Sequence, residues 1–283
     1  MEYRTFGRTG YKVSSIGMGT YYGVLTRFLP ASADRPRPSD GRVAALKKGI
    51  ELGMNLIDTA EAYQTEGIVS EAIRGLKRDD LFIATKVWPS HLHRDDVLKS
   101  ADASLSNLRS TYIDLYQIHW PNGKIPIRET MGAMEKLVND GKVRQIGVSN
   151  FSVAQMKEAQ EALSKCDLAS NQMEYSLMAR DIEAEVLPFC KENDIALLAY
   201  RPVAHGALAE PKGGLKLLIE DISRKHGGRT PAQIALNWLL TRGDNVVPIP
   251  RASRIEHVVE DAGATGWQLD QEEISSLSMT TGR

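Results

Sequence analysis

Four ionisable residues carry the chemistry written into this sequence: Asp58, Tyr63, Lys86 and His119. The first two share one string, Asp58-Thr59-Ala60-Glu61-Ala62-Tyr63, and the other two close separate apolar runs further along. A tyrosine in water has a pKa near ~10, too high for an efficient acid at neutral pH. A neighbouring ammonium favours the phenolate and lowers that value. Lys86 is expected to supply it, with Asp58 pairing to the lysine and holding it in place. His119 is expected to donate a hydrogen bond to a substrate carbonyl. The set describes a tuned acid facing a carbonyl. Singly, each residue has a plainer reading: Asp58 and Lys86 as a structural ion pair, Tyr63 as a half-buried packing residue, His119 as a core histidine. Delivered together, they are harder to explain as packing.

The elements that must position these groups are short β-rich runs, each followed by a helical stretch. The runs are 15–19, 55–58, 81–86, 113–119, 143–149, 168–173, 196–200 and 245–248. Several, such as Leu81-Phe82-Ile83-Ala84, are continuously apolar, as in parallel strands buried on both faces. Between them lie amphipathic segments, among them one with Val43, Leu46 and Ile50 on a face, and another over 95–108 that opens on two aspartates. Ser152 and Thr230 read as N-caps, the latter followed by Pro231. The spacing of about 25 to 40 residues is that of one βα unit. Eight such units predict an α/β fold, a (β/α)8 TIM barrel, in a single domain over 1–283. The polar strand ends then fall on the barrel face where active sites are built. Residues 5–14, with Gly7-Arg8-Thr9-Gly10, read as an N-terminal β-hairpin. Residues 27–40, rich in Pro, Ala, Ser and charge, read as a long loop.

Bulk properties exclude several function classes. The 35 basic and 36 acidic residues leave a net charge of −1, so no footprint for nucleic acid or an anionic membrane is present. The expected partner is a small molecule, and a monomer is the default. Two cysteines, Cys166 and Cys190, are too few for a disulfide framework. The N-terminal residues lack an apolar leader core, and no run approaches the ~20 apolar residues of a membrane span. A cytoplasmic protein is expected. Gly17, Gly19 and Gly23 lack the Gly-x-Gly-x-x-Gly spacing of a Rossmann dinucleotide site. His91-x-His93 has no third partner for a metal and reads as loop. Ser253 and Glu256 have capping-box spacing, so a helix is expected to start at Ser253. A helix N-terminus flanked by Arg251 and Arg254 is an anion site, the plainer reading being two solvated surface charges.

The chain also resembles the aldo-keto reductases. Asp58, Tyr63, Lys86 and His119 match that family's catalytic tetrad. The strings Asn55-Leu56-Ile57-Asp58-Thr59-Ala60-Glu61-Ala62-Tyr63, Ala84-Thr85-Lys86-Val87-Trp88, Asp114-Leu115-Tyr116-Gln117-Ile118-His119-Trp120 and the run from Gly141 to Phe151 look like its motifs. The resemblance covers about Tyr3 to Thr281. It implies hydride transfer from nicotinamide C4 to a carbonyl carbon while Tyr63 protonates the oxygen, reversibly. It also implies a cofactor cradle. Gly19, Thr20 and Tyr21 match the turn near the nicotinamide ribose, and Ser149, Asn150 and Gln172 match the residues that hold the carboxamide. Tyr200, in Ala199-Tyr200-Arg201-Pro202, matches the aromatic that stacks on the nicotinamide, although a strand-end tyrosine is commonly core. Leu208 and its neighbours 204–207 match the pyrophosphate segment.

The string Ile249-Pro250-Arg251-Ala252-Ser253-Arg254 matches the place where the family holds the 2′-phosphate, which implies NADPH (NADP+ in reverse) over NADH. His257 stands where many members have arginine, and Asp261 where an asparagine commonly contacts adenine. Tyr22, Trp88 and Trp120 follow strand ends and are expected to wall the substrate pocket, with simple packing as the plainer reading. Some relatives act as cofactor-binding regulatory subunits, which is the alternative to an enzyme. Specificity is expected from residues 22–40, 88–94, 120–127 and the C-terminal segment.

Overall fold

The computed structural model describes residues 1–22 and 41–281. The expected loop at 27–40 lies outside the described residues. A short antiparallel pair comes first, β1 (Tyr3–Thr5) and β2 (Lys12–Ser14), with Tyr3 opposite Ser14. This is the expected hairpin. Eight parallel strands follow: β3 (Met18–Gly19), β4 (Leu56–Asp58), β5 (Phe82–Val87), β6 (Ile113–Ile118), β7 (Val143–Ser149), β8 (Leu168–Glu174), β9 (Ala196–Tyr200) and β10 (Val246–Pro248). They lie side by side in chain order, and all eight fall on the β-rich runs of the sequence. The helices are α1 (Arg42–Glu51), α2 (Glu66–Ala72), α3 (Arg94–Leu108), α4 (Ile127–Asn139), α5 (Val153–Glu161), α6 (Val186–Glu192), α7 (Gly213–Lys225), α8 (Pro231–Leu240), α9 (Ile255–Ala262) and α10 (Gln271–Thr281).

Two cores result from the two faces of the strands. Leu56, Phe82, Ala84, Leu115, Ala169, Ala196, Leu198, Val247 and Ile249 form one cluster, which the hairpin's Phe6 and Val13 join. Phe6 lies 4.7 Å from Phe82, ring centre to ring centre. A larger cluster, including Ile57, Ile83, Tyr116, Ile146 and Leu197, packs the other strand faces against the helices. Alternate residues of one strand thus serve the inside and the outside of a closed sheet.

The sheet closes at β3. Gly17 N–H donates to Pro248 O at 2.9 Å, Gly19 N–H to Pro250 O at 2.8 Å, and Ala252 N–H to Gly19 O at 2.9 Å. Gly19 and Arg251 form a parallel bridge across this seam. Glycine is required there: a Cβ on Gly19 would stand 2.9 Å from Ile249 O, a backbone atom with no freedom to swing away.

Local signals account for most helix boundaries. Gln155 N–H donates to Ser152 Oγ and Gln233 N–H to Thr230 Oγ1, each within a full capping box. The expected start at Ser253 is corrected. Helix α9 begins at Ile255, with Arg254 in its cap position and no side-chain cap bond. Ser253 N–H turns back onto Arg251 O at 3.2 Å, and Arg254 is extended at φ −139°, ψ 147°. The chain leaving the seam is therefore not yet helical at Ser253. The C-terminal segment forms α10, whose Ser278 receives bonds from Trp238 and Arg180.

The seam yields a stability prediction. Gly19→Ala should lower the unfolding free energy by about 1–3 kcal/mol, the usual cost of overpacking a fitted site. Urea melts of the two proteins would measure it, and equal midpoints would show that the seam tolerates a side chain.

Candidate active site

The carboxyl ends of the strands bring the four candidate residues together. Asp58 ends β4, Lys86 is the next-to-last residue of β5, His119 follows β6, and Tyr63 sits in a 3-10 turn, Glu61–Tyr63, just beyond β4. Lys86 is fully buried and Asp58 nearly so. Lys86 Nζ donates to Asp58 Oδ2 at 2.7 Å and to Thr59 O at 2.9 Å. The other Asp58 oxygen, Oδ1, accepts from Gln172 Nε2 at 2.7 Å, a bond between β4 and β8 across the barrel. Tyr63 Oη is 3.3 Å from His119 Nε2, and the two rings meet edge to face. Lys86 Nζ lies 5.0 Å from the centre of the Tyr63 ring.

Burial governs the electrostatics. The Tyr63 phenol is pushed well above its ordinary value, first by desolvation and then by the Asp58 charge. The expected acidification by Lys86 is thus corrected. Loss of water around the phenol, with the Asp58 charge beside it, raises the value more than nearby cations lower it. Lys86 itself is lowered by burial, opposed by Asp58. His119 is pushed down to about 2, by burial first and the Lys86 charge second. At neutral pH the site therefore presents a protonated phenol and a neutral imidazole.

The other predicted residues surround this centre. Thr20, fully buried, donates to Asp58 O at 3.0 Å and shares a bond with Thr65, which in turn bonds Thr59. The Tyr21 ring packs on Tyr63 at 5.1 Å. Ser149 Oγ donates to Gln172 O at 3.0 Å. Asn150 adopts a left-handed φ of 63°, and its Nδ2 donates to Ser149 Oγ and His119 O. Tyr200 Oη donates to Asn150 Oδ1 at 3.0 Å. The Tyr200 ring is thus at the site rim and half-buried. Trp88 meets His119 edge to face at 5.1 Å.

Five residues stand apart from the centre. Trp120 is 44% exposed and has no ring contact with it among the described residues. Tyr22 instead bonds Ala252 O at 3.2 Å, with Arg42 over its ring. Arg201 is exposed, pairs with Glu174 and has a left-handed φ, while Pro202 next to it is buried. Leu208 is wholly in the core, so only its backbone can face a ligand.

At the seam, Ile249 and Ala252 are buried, Ser253 and His257 are half-buried, and Arg251 and Arg254 are exposed. Neither arginine forms an ion pair among the described residues. Asp261 is 6% exposed, and desolvation raises its carboxyl well above the usual range. Thr65, Thr59 and Glu61 were not singled out from the sequence. Their bonds to the site residues carry no local signature, although Glu61 lies inside the Asp58–Tyr63 string.

A (β/α)8 barrel with a phenol, an imidazole and a buried ammonium at the ends of consecutive strands defines a barrel enzyme. The aldo/keto reductase family profile matches residues 28–279, and the chain belongs to that family. It is 36% identical over 267 residues to the methylglyoxal reductase YeaE of Escherichia coli (strain K12), covering 93% of this chain and 89% of that protein. Among solved structures it resembles the thermostable aldo-keto reductase Tm1743, in complex with the inhibitor epalrestat (TM-score 0.88, 40% identity, 99% of each chain). It also resembles an aldo-keto reductase of Klebsiella pneumoniae in complex with NADPH (TM-score 0.84, 35% identity, 99% of this chain and 96% of that one).

The depressed His119 predicts a pH dependence of stability. A base held neutral in the fold but free to charge when unfolded contributes fully above ~6.5, and that contribution is lost as pH falls further. Between pH 6.5 and 4 the parent protein should lose stability more steeply than His119→Gln, by up to about 1.4 kcal/mol per pH unit. Urea melts across this range measure both slopes. Parallel slopes would mean that His119 takes up its proton in the folded state.

Proposed function

We propose that this chain is an NADPH-dependent reductase of aldehydes and ketones, with Tyr63 as the proton donor. The observation that carries the reading is the assembled set: Tyr63 Oη 3.3 Å from His119 Nε2, beside a fully buried Lys86 bonded to Asp58 at 2.7 Å. The cofactor fits residues of this chain. Arg251 and Arg254 offer to a 2′-phosphate two exposed guanidinium groups without an ion-pair partner among the described residues. Positive φ at Arg201, Ala204, His205 and Gly206 bends the segment before Leu208, as a turn that exposes N–H groups to a pyrophosphate does. Ser149, Asn150 and Gln172 supply amides and a hydroxyl for the carboxamide, and the Tyr200 ring lies beside them. When bound, NADPH supplies a hydride to the carbonyl carbon. Relatives named methylglyoxal reductases make small 2-oxoaldehydes the first substrates to test.

Each side chain then has a task. His119, neutral and protonated on Nε2, donates to the carbonyl oxygen and orients it. Tyr63 keeps its proton until the oxygen becomes strongly basic, then gives it up. Lys86, charged because Asp58 and Thr59 hold it, stabilises the phenolate that this leaves. Asp58 and Gln172 hold Lys86 in place. Tyr21 and Trp88 wall the reacting centre. Tyr22 anchors the seam, Trp120 is an outer contact for larger substrates, and His257 and Asp261 edge the nucleotide end. We read residues 1–283 as one domain and the protein as a cytoplasmic monomer, which its free cysteines Cys166 and Cys190 suit. A redox-sensing subunit gains no support from a site in which donor, imidazole and ammonium are all in place.

Two experiments test this. Tyr63→Phe should fold and bind NADPH as the parent does while losing turnover by at least about 100-fold, the lower range for general acid catalysis. Near-normal turnover would remove Tyr63 from the role. Replacing Arg251 and Arg254 together by alanine should raise the NADPH dissociation constant by about tenfold or more and leave NADH nearly unchanged. Titration by fluorescence measures both, and equal effects on the two cofactors would dismiss the phosphate assignment.

A further inference from the structure

Glu61 stands two residues before Tyr63 in the same 3-10 turn. Its side chain is only 16% exposed, and Oε1 accepts from the backbone N–H of Trp88 at 2.6 Å and bonds His91 Nδ1 at 3.0 Å. His91 in turn lies 3.2 Å from Ser100 Oγ on α3. Trp88 and His91 belong to the segment that follows β5. One carboxylate thus ties the turn carrying Tyr63 to the segment carrying Trp88.

The contacts close a ring. Trp88 meets His119 edge to face at 5.1 Å, His119 meets Tyr63 at 3.3 Å, and Tyr63 returns through its own turn to Glu61. Two sides of this ring are contacts between rings, whose geometry tolerates sliding, and the third is the backbone of the turn itself. The fourth is a short bond from a charged acceptor to a backbone donor, among the stronger and more directional kinds. It anchors the Trp88 backbone, from which the ring reaches His119.

We infer that Glu61 is a positioning residue that fixes Trp88 against His119 and so sets the fit of the carbonyl substrate. This rests on the proposed reductase reading only for the identity of the substrate. Glu61 touches none of the reacting atoms. Its removal loosens the pocket wall while Tyr63, Lys86 and the cofactor segment keep their own bonds.

The test combines a measurement that needs no turnover with one that does. In hydrogen–deuterium exchange of the full chain, Glu61→Ala should speed exchange of the Trp88 amide about tenfold, and Glu61→Gln, which keeps an acceptor oxygen, should restore most of the protection. Glu61→Asp keeps the charge and steps the acceptor back by one methylene, and should fall between them. With methylglyoxal, KM of Glu61→Ala should rise about tenfold against a smaller change in kcat, with the NADPH dissociation constant within about twofold of the parent. Unchanged exchange overturns the inference. So does faster exchange with an unaltered KM, since the bond would then hold the backbone without shaping the pocket. An inactive parent protein would count against the reductase reading, and the exchange result would still judge the clamp.

Discussion

A lysine ammonium without access to water is the constraint around which this structure is built. Moving such an ion out of water costs several kcal/mol even after relaxation, and the cost is offset only where good geometry and further hydrogen bonds surround it. Lys86 meets both demands through Asp58 Oδ2 and Thr59 O, and Asp58 is completed by Gln172 from the far side of the barrel. These partners come from β4, β5 and β8, so the pair is satisfied only once the sheet has closed. An open sheet with the same strands would leave a carboxylate oxygen of Asp58 short of its donor. The ion pair thus helps to specify the closed topology that in turn keeps it dry.

The same dryness sorts the protons of the site. Burial disfavours every charged form, so it raises Tyr63 and lowers His119 and Lys86. Asp58 opposes the effect on Lys86, and the Lys86 charge adds to the effect on His119. The outcome is a phenol that keeps its proton and an imidazole that refuses a second one. A donor of this kind does not leak its proton to solvent at rest. It needs a strongly basic oxygen within bonding distance, which arises only as the carbonyl is reduced.

The strands were legible in the sequence because they are short β-rich runs, several of them continuously apolar as a buried parallel sheet favours, at the spacing of βα units. The four central residues were legible because the barrel places strand ends on one face, so position along the chain becomes position in space. The sign of the Tyr63 shift was not. Sequence names the charged neighbours of a phenol, but the amount of water excluded from it depends on Tyr21, His119 and Trp88, which arrive from three different loops. The start of α9 failed for a related reason. Ser253 and Glu256 have capping spacing, but the seam bonds of Gly19 to Pro250 and Ala252 hold that chain extended or turned past the serine. The Asp58–Gln172 bond spans 114 residues, and nothing in either local string announces it.

The barrel seam also links the two ends of the proposed cofactor site. Gly19 O accepts from Ala252 N–H, and Tyr22 Oη donates to Ala252 O, so residues 19–22 are held to the segment bearing Arg251 and Arg254 by bonds to both backbone groups of one residue. Between them, Tyr21 packs on Tyr63. The Arg251–Arg254 segment is thus linked through residues 19–22 to the ring that packs on the phenol. In the proposed function, this couples capture of a phosphate at one end to the packing of the proton donor at the other. The coupling needs no hinge, only a glycine at 19 that lets two backbones approach closely enough to share hydrogen bonds. That same close approach closes the sheet, so the feature that completes the fold also carries the contact between nucleotide end and reacting centre.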